Sequence, residues 1–210
     1  MDVMDAPCEQ TRTRLVEAAR EVFAEHGFQG ATVREICRRA DANIAAVKYH
    51  FGNKDGLFSE ALNFNRLKAL QKANSTADTC PEKRLRLFIR DFMLLLLDDN
   101  NASKQCRMMV RELADPTPEL DKIVIEAIAP LHAYLGALLR EIVGIGMSAG
   151  ELRHCLYSLL GQCLFYRHSH PVLLRLRPEL HYDRKEIEAI ALHIADFSLA
   201  ALKQSIKNPG

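Results

Sequence analysis

Apolar residues recur along this chain at three- and four-residue spacing, and the two-residue alternation of strands is almost absent. From Glu9 to His26, Leu15, Ala18, Ala19, Val22 and Phe23 share one side of a helix, and Gly27 supplies a stop. Thr32 then stands where an N-cap belongs, Glu35 completes a capping-box pattern, and Val33, Ile36 and Ala40 form a short apolar edge. Asp41-Ala42-Asn43 reads as a tight turn, with Asn43 capping a short helix and Asn53 capping a longer one from Lys54 towards Asn74. Residues 75–81 are polar and end in proline, which marks a joint. Further helices are expected over about 82–98, 104–114, 117–143, 148–168 and 184–206. Asn100-Asn101, Pro116 and Pro118, Gly144 to Gly146, and His170-Pro171 through Pro178 punctuate them. The fold class is all-α.

The short stretch NIAAVKYHFGNK, residues 43–54, places alanines beside a lysine, a tyrosine and a histidine on a short helix stopped by Gly52-Asn53. At 100° per residue Val47 and Phe51 face inward, leaving Ala45, Ala46, Lys48 and Tyr49 outside. Two short helices joined by a tight turn and braced by a longer one form a helix-turn-helix, whose second short helix enters the DNA major groove. Small alanines let that backbone approach base edges, and an alanine methyl meets a thymine methyl. Lys48, Tyr49 and His50 supply donors for phosphate oxygens. A surface helix of a non-binding bundle would show the same residue types.

Composition narrows the choice. With 210 residues and 48% hydrophobic content the chain can bury a sizeable core in one or two domains. Its 28 basic residues against 27 acidic ones give no global attraction to polyanions, so a nucleic-acid site must be a local patch. Residues 34–54 are such a patch: Arg34, Arg38, Arg39, Lys48 and Lys54 stand against Glu35 and Asp41, an excess of three positive charges. No run approaches the roughly 20 apolar residues of a membrane span, and a cytoplasmic protein is expected. The six cysteines form no C-x-x-C pair and fit reduced thiols rather than a disulfide framework or a zinc site.

Across residues 11–62 the chain resembles the DNA-binding domain of TetR-family transcriptional regulators. The resemblance is carried by A-x-x-x-F-x-x-x-G-F-x-x-x-T-V-x-x-I, then A-x-x-x-x-x-x-V-x-Y-H-F, then N-K-x-x-L. Over 82–206 it resembles the CecR-like branch, through the Met108–Thr117 segment M-x-x-R-E-L-x-x-P-T and through H-P-V-L-L-R-L-R-P-E-L. The resemblance implies a helix-turn-helix DNA-binding domain over 1–60 and a larger helical ligand-binding and dimerisation domain over 61–210. It assigns phosphate contacts to Thr32, Tyr49, His50 and Lys54 and base contacts to Arg34, Ile44, Ala45 and Lys48, with Asn43 and Ala46 completing the DNA-facing set. Many relatives carry Tyr or Asn where this chain has Lys48, which leaves Lys48 to phosphate, base or both.

Reading a duplex at two half-sites calls for a dimer. Apolar stripes through Leu156, Leu160 and Cys163 and through Ile190, Ile194 and Phe197 are the candidate interface, with an internal core as the alternative. Phe88, Phe92, Met93 and Leu96, then Met108 and Met109, then Tyr134, form a Met- and Phe-rich interior that could adapt to a small, largely apolar effector, or could be plain core. Arg111 and Glu112 could orient a polar group there. The implied partners are a double-stranded operator, a second copy and an unidentified small molecule, with no membrane and no cofactor.

Catalysis finds no organised site: G-x-S-x-G, H-E-x-x-H and P-loop patterns are missing. His168-Ser169-His170 after Cys163 is the best metal candidate, and Cys155 and Cys163 are the best thiol-sensor candidates. Neither has the spacing of a built site, so no metal ligand is assigned.

Overall fold

The structure, a computed structural model, describes residues 5–62, 65–75, 79–97 and 101–207, and these are helical or connecting throughout. The chain forms two compact units, one of residues 1–63 and 100–123, the other of 64–99 and 124–210.

The first unit contains α1 (Asp5–Gly30), α2 (Val33–Ala40), α3 (Ile44–Phe51), α4 (Lys54–Leu62), α7 (Asn101–Ala114) and the single turn α8 (Leu120–Ile123). α1 packs on α2, α4 and α7. Its inward stripe of Leu15, Ala19, Val22 and Phe23 meets a core that holds Ile36, Val47, Leu57, Phe58 and Met108. Each fully buried Leu or Phe of this kind stabilises the unit by about 1.5–3 kcal/mol. Polar ties reinforce the packing: Lys104 pairs with Glu21 at 2.6 Å, and Arg20 donates to the Ala61 carbonyl at 3.1 Å. Gly27, with φ of 69°, bends the last turn of α1 in a backbone region that side chains disfavour.

The second unit contains α5 (Asn65–Ser75), α6 (Pro81–Leu97), α9 (Ala129–Val143), α10 (Ala149–His168), α11 (His170–Leu176) and α12 (Arg184–Lys207). α6 is its central rod, packed by α5, α9, α10 and α12. The apolar stripe Leu85, Phe88, Ile89, Phe92 and Met93 meets Leu135 and Leu138 of α9 and Ile187, Ile190 and Ile194 of α12 in the core. Ser148 and Glu151 cap α10 reciprocally, and Arg140 closes the preceding turn by donating to the Met147 carbonyl.

Most expected helices are present within a few residues of their bounds. The long helix expected from Lys54 falls in two elements on either side of residues 63 and 64, and part of the joint, residues 76–78, also lies outside the described residues, as does Asn100. His170 to Leu176, read from sequence as a punctuating loop, is instead the helix α11: Pro171 sits in its first turn, where a missing N–H costs nothing. The Thr32 and Glu35 pattern closes in one direction only, because the Glu35 carboxylate is drawn to Arg38 and Arg39.

One expectation about membrane spans is corrected. Leu120–Val143 is helical throughout, through a π-helical stretch at Val124–Ile128, and by length and composition is long and apolar enough to cross a bilayer. Leu131, Leu135, Leu138 and Leu139 on it are buried at helical spacing, while Glu126 faces Lys68 at 3.8 Å and Glu141 pairs with Arg84. That two-sided pattern is the signature of a helix lying on a protein core.

Candidate nucleic-acid interface

α3 is eight residues long, too short to persist without help at its ends. Asn43 supplies the first: its side-chain oxygen accepts from the Ala46 N–H at 2.8 Å. Gly52 supplies the second, with φ of 78° and its N–H returned to the Lys48 carbonyl. Between them Val47, 3% exposed, is the buried anchor, and Phe51 is half-buried beneath the Arg12 guanidinium. Ile44 and Tyr49 stand 52% and 78% exposed, in a face that also carries Ala45 and Lys48. Ala46 and His50 are half-buried at its edges, and the thiol of Cys8 lies 3.9 Å from the His50 ring.

α2 contributes the rest of the surface. Thr32 caps it, its hydroxyl oxygen accepting from the Glu35 N–H at 3.2 Å, which leaves the O–H free to donate outward. Arg34 is exposed beside it. The charge excess read from the sequence is distributed unevenly. Arg38 grips Glu35 with two nitrogens, and Arg39 bonds both Glu35 and Glu25. These hydrogen bonds, first from Arg38 and then from Arg39, hold the Glu35 carboxyl down at about 2. Arg34, Lys48 and Lys54 are the cations of the patch without an ion-pair partner among the described residues.

Lys54 opens α4, whose cap is Asn53, the Asn53 oxygen accepting from the Gly56 N–H at 2.8 Å. Gly56 escaped the sequence reading. A Cβ there would stand 2.1 Å from the Phe51 carbonyl oxygen, so only glycine lets α4 start against the end of α3. The signal was available as an isolated glycine inside a helical pattern.

The order of elements, the two caps and the outward face all coincide with the motifs noted above, and so do the comparisons with known proteins. Residues 15–61 match the bacterial regulatory proteins of the tetR family, and residues 81–202 match the C-terminal domain of HTH-type transcriptional dual regulator CecR. The chain belongs to the TetR family. Within that family it is 26% identical over 194 residues to the dual regulator CecR of Shigella flexneri, covering 87% of this chain and 86% of the relative. A transcriptional regulator from Pseudomonas aeruginosa PAO1 has the same fold, with a TM-score of 0.70 at 22% identity, covering 93% of this chain and 94% of the other. The Bacillus subtilis regulator FadR, in complex with stearoyl-CoA, matches with a TM-score of 0.67 at 16% identity, covering 90% of this chain and 97% of its own. This TetR-family chain is therefore a DNA-binding transcriptional regulator.

The remaining candidate residues are placed as follows. Phe88, Phe92, Met93 and Leu96, all buried, and the half-buried Tyr134 lie in the second unit, whereas Met108, Met109, Arg111 and Glu112 lie on α7 in the first. The sequence reading had grouped them because both stretches are rich in Met and Phe, which periodicity alone cannot assign to one core or another. Glu112 is buried and accepts from the backbone and hydroxyl of Thr117, while Arg111 is exposed. Of the stripes offered as an interface, Leu156, Cys163, Ile190 and Ile194 are buried within the protomer itself, Leu160 is half-buried, and Phe197 is 60% exposed. The strongest apolar periodicity of α10 and α12 thus marks their own core, and Tyr157, Phe165, Leu192 and Phe197 make the face left over. Burial pushes the Cys163 thiol up to about 12, and that of Cys155 upward as well, which makes both poor nucleophiles. Among the described residues no cluster of three or more His, Cys, Asp or Glu is arranged to hold a metal.

Proposed function

We propose that this chain represses transcription by binding an inverted-repeat operator as a homodimer, and that a small, largely apolar effector releases it. It acts in the cytoplasm. The observation that carries the reading is the division of α3 into an inward Val47 and an outward face of Ile44, Ala45, Lys48 and Tyr49. In that division the residues 1–60 form the reader, and the remainder provides dimerisation and effector binding. The exposed aromatic residues of α10 and α12 supply the surface for a second copy. Repression is supported by AcnR of Corynebacterium glutamicum, named a repressor and 44% identical over 48 residues. The name of the CecR relative, a dual regulator, favours a second reading in which the same dimer also activates.

The effector site of this proposal lies around Phe88, Phe92, Met93, Leu96 and Tyr134. Burial pushes the Tyr134 hydroxyl above the usual tyrosine range, with Arg84 pulling the other way, and neither that hydroxyl nor Arg84 Nε has a hydrogen-bond partner. An effector with an apolar body and one polar group would satisfy them. SmeT has been solved with triclosan and FadR with stearoyl-CoA, each of which carries a large apolar part. Coupling between effector and operator in such systems amounts to about 1–3 kcal/mol.

The test is operator binding by fluorescence anisotropy on the DNA flanking the chain's own gene, across a salt series. Lys48→Ala should lower the slope of log affinity against log salt by about one, the signature of one lost phosphate contact. Arg34→Ala should weaken the cognate site by about 1–3 kcal/mol relative to a site mutated at a single base pair. Unchanged slope and uniform losses on all sequences would refute both assignments.

A further inference from the structure

The first unit contains a cavity that DNA reading leaves without a role. Where α7 packs on α1 and α4, Phe23, Phe28, Phe58 and Met108 wall a space of about 190 Å³. Its rings are set at steep angles: Phe23 and Phe58 meet edge-on with centroids 4.9 Å apart, and Phe28 meets Phe58 at 5.0 Å. Glu112 also lines this space and is only 3% exposed. Its Oε1 accepts from the Thr117 N–H and from the Thr117 hydroxyl, each at 2.7 Å. Neither bond brings a positive charge. Among the described residues Glu112 forms no ion pair with a Lys, Arg or His.

A carboxylate held out of water without a cation is strongly unfavourable. Here the carboxylate lines a chamber of aromatic rings, and ring faces attract cations. We propose that this cavity binds a small organic ammonium ion with an apolar body, the charge held by Glu112 and the body by the three phenylalanines and Met108. The volume suits a single-ring molecule, since a cavity of about 150 Å³ accommodates benzene. Arg111, His26 and Asp115 stand exposed at the rim, where water screens their charges far more than the interior charge of Glu112. Phe28 also carries the Lys54 ammonium over its ring, so a guest that fixes Phe28 bears on a DNA-facing side chain. That last link rests on the DNA-binding reading; occupancy of the cavity does not.

The full-length protein, labelled at its methionine methyls, is titrated without DNA using three matched probes: benzylammonium, benzyl alcohol and benzoate. Benzylammonium should shift the Met108 methyl signal saturably and bind about tenfold more tightly than benzyl alcohol, as a charge-assisted bond requires. Glu112→Gln keeps an oxygen for Thr117 and should abolish that preference. Phe28→Leu should weaken benzylammonium about threefold, and it decides the matter should the Gln variant not fold. Equal affinity for the cation and the alcohol, tighter binding of benzoate, or no shift from any probe at about 10 mM would overturn the proposal. An anisotropy titration on operator DNA, run separately, tests the DNA reading, so the two can fail independently.

Discussion

The Lys54 ammonium rests 4.5 Å from the centre of the Phe28 ring. Burial lowers its pKa below 10.5, with Asp55 pulling the other way, so the fold holds this charge at some cost. Between the lowered folded value and 10.5 the unfolded chain binds the extra proton, so stability rises with pH through that window. Lys54→Met should therefore raise the thermal midpoint near neutral pH while lowering the salt slope of operator binding by about one unit. A midpoint that falls, with an unchanged slope, would show that Lys54 is a structural residue.

Gly56→Ala should destabilise the first unit by about 2 kcal/mol or more, because its Cβ has no room beside the Phe51 carbonyl oxygen. The expected readout is a lower urea midpoint with an unchanged m-value. A wild-type midpoint would mean that α3 and α4 can separate freely at that corner.

The Glu35 carboxyl should titrate at about 2, followed by carbon-detected NMR of the side chain. Its folded value lies below the reference of 4.5, so its contribution is present above 4.5 and is lost as pH falls towards about 2. Arg38→Gln should move the midpoint upward, as the loss of the largest cause requires. An ordinary carboxylate titration in the unaltered protein would show that the Arg38 and Arg39 bonds are not formed in solution.

Leu156→Ala and Phe197→Ser separate core from interface. Leu156 is buried in its own protomer, and truncating it should cost about 2–5 kcal/mol of folding stability. Phe197 is exposed, so its replacement should leave the fold intact and weaken self-association in sedimentation. The reverse pattern would place the interface elsewhere.

The helix-turn-helix was legible in the sequence because its signals are local. Asn43, Gly52, Asn53 and the inward Val47 act within a few residues of themselves, and each does what its residue type dictates, while Phe51, also expected inward, is half-buried. Longer-range relations were not. Whether Met108 packs with Phe88 or with Phe23 depends on where α7 lies, and periodicity is silent about that choice. The same limit explains Leu156 and Cys163: an apolar stripe says that a helix face is covered, without saying by which chain. α11 was missed because proline was read as a breaker, although in the first turn of a helix it is tolerated. Arg39 was counted as open charge because its partner Glu25 lies on α1, fourteen residues away.

In α3 the groups that hold the rod in place, Asn43, Val47 and Gly52, are distinct from those it shows outward, Ile44, Ala45, Lys48 and Tyr49. If that outward face reads the operator as proposed, exchanging its side chains would rewrite the address without loosening the scaffold that carries them. A lineage copying this gene could acquire new target promoters through a few surface substitutions, with stability staying out of the bargain.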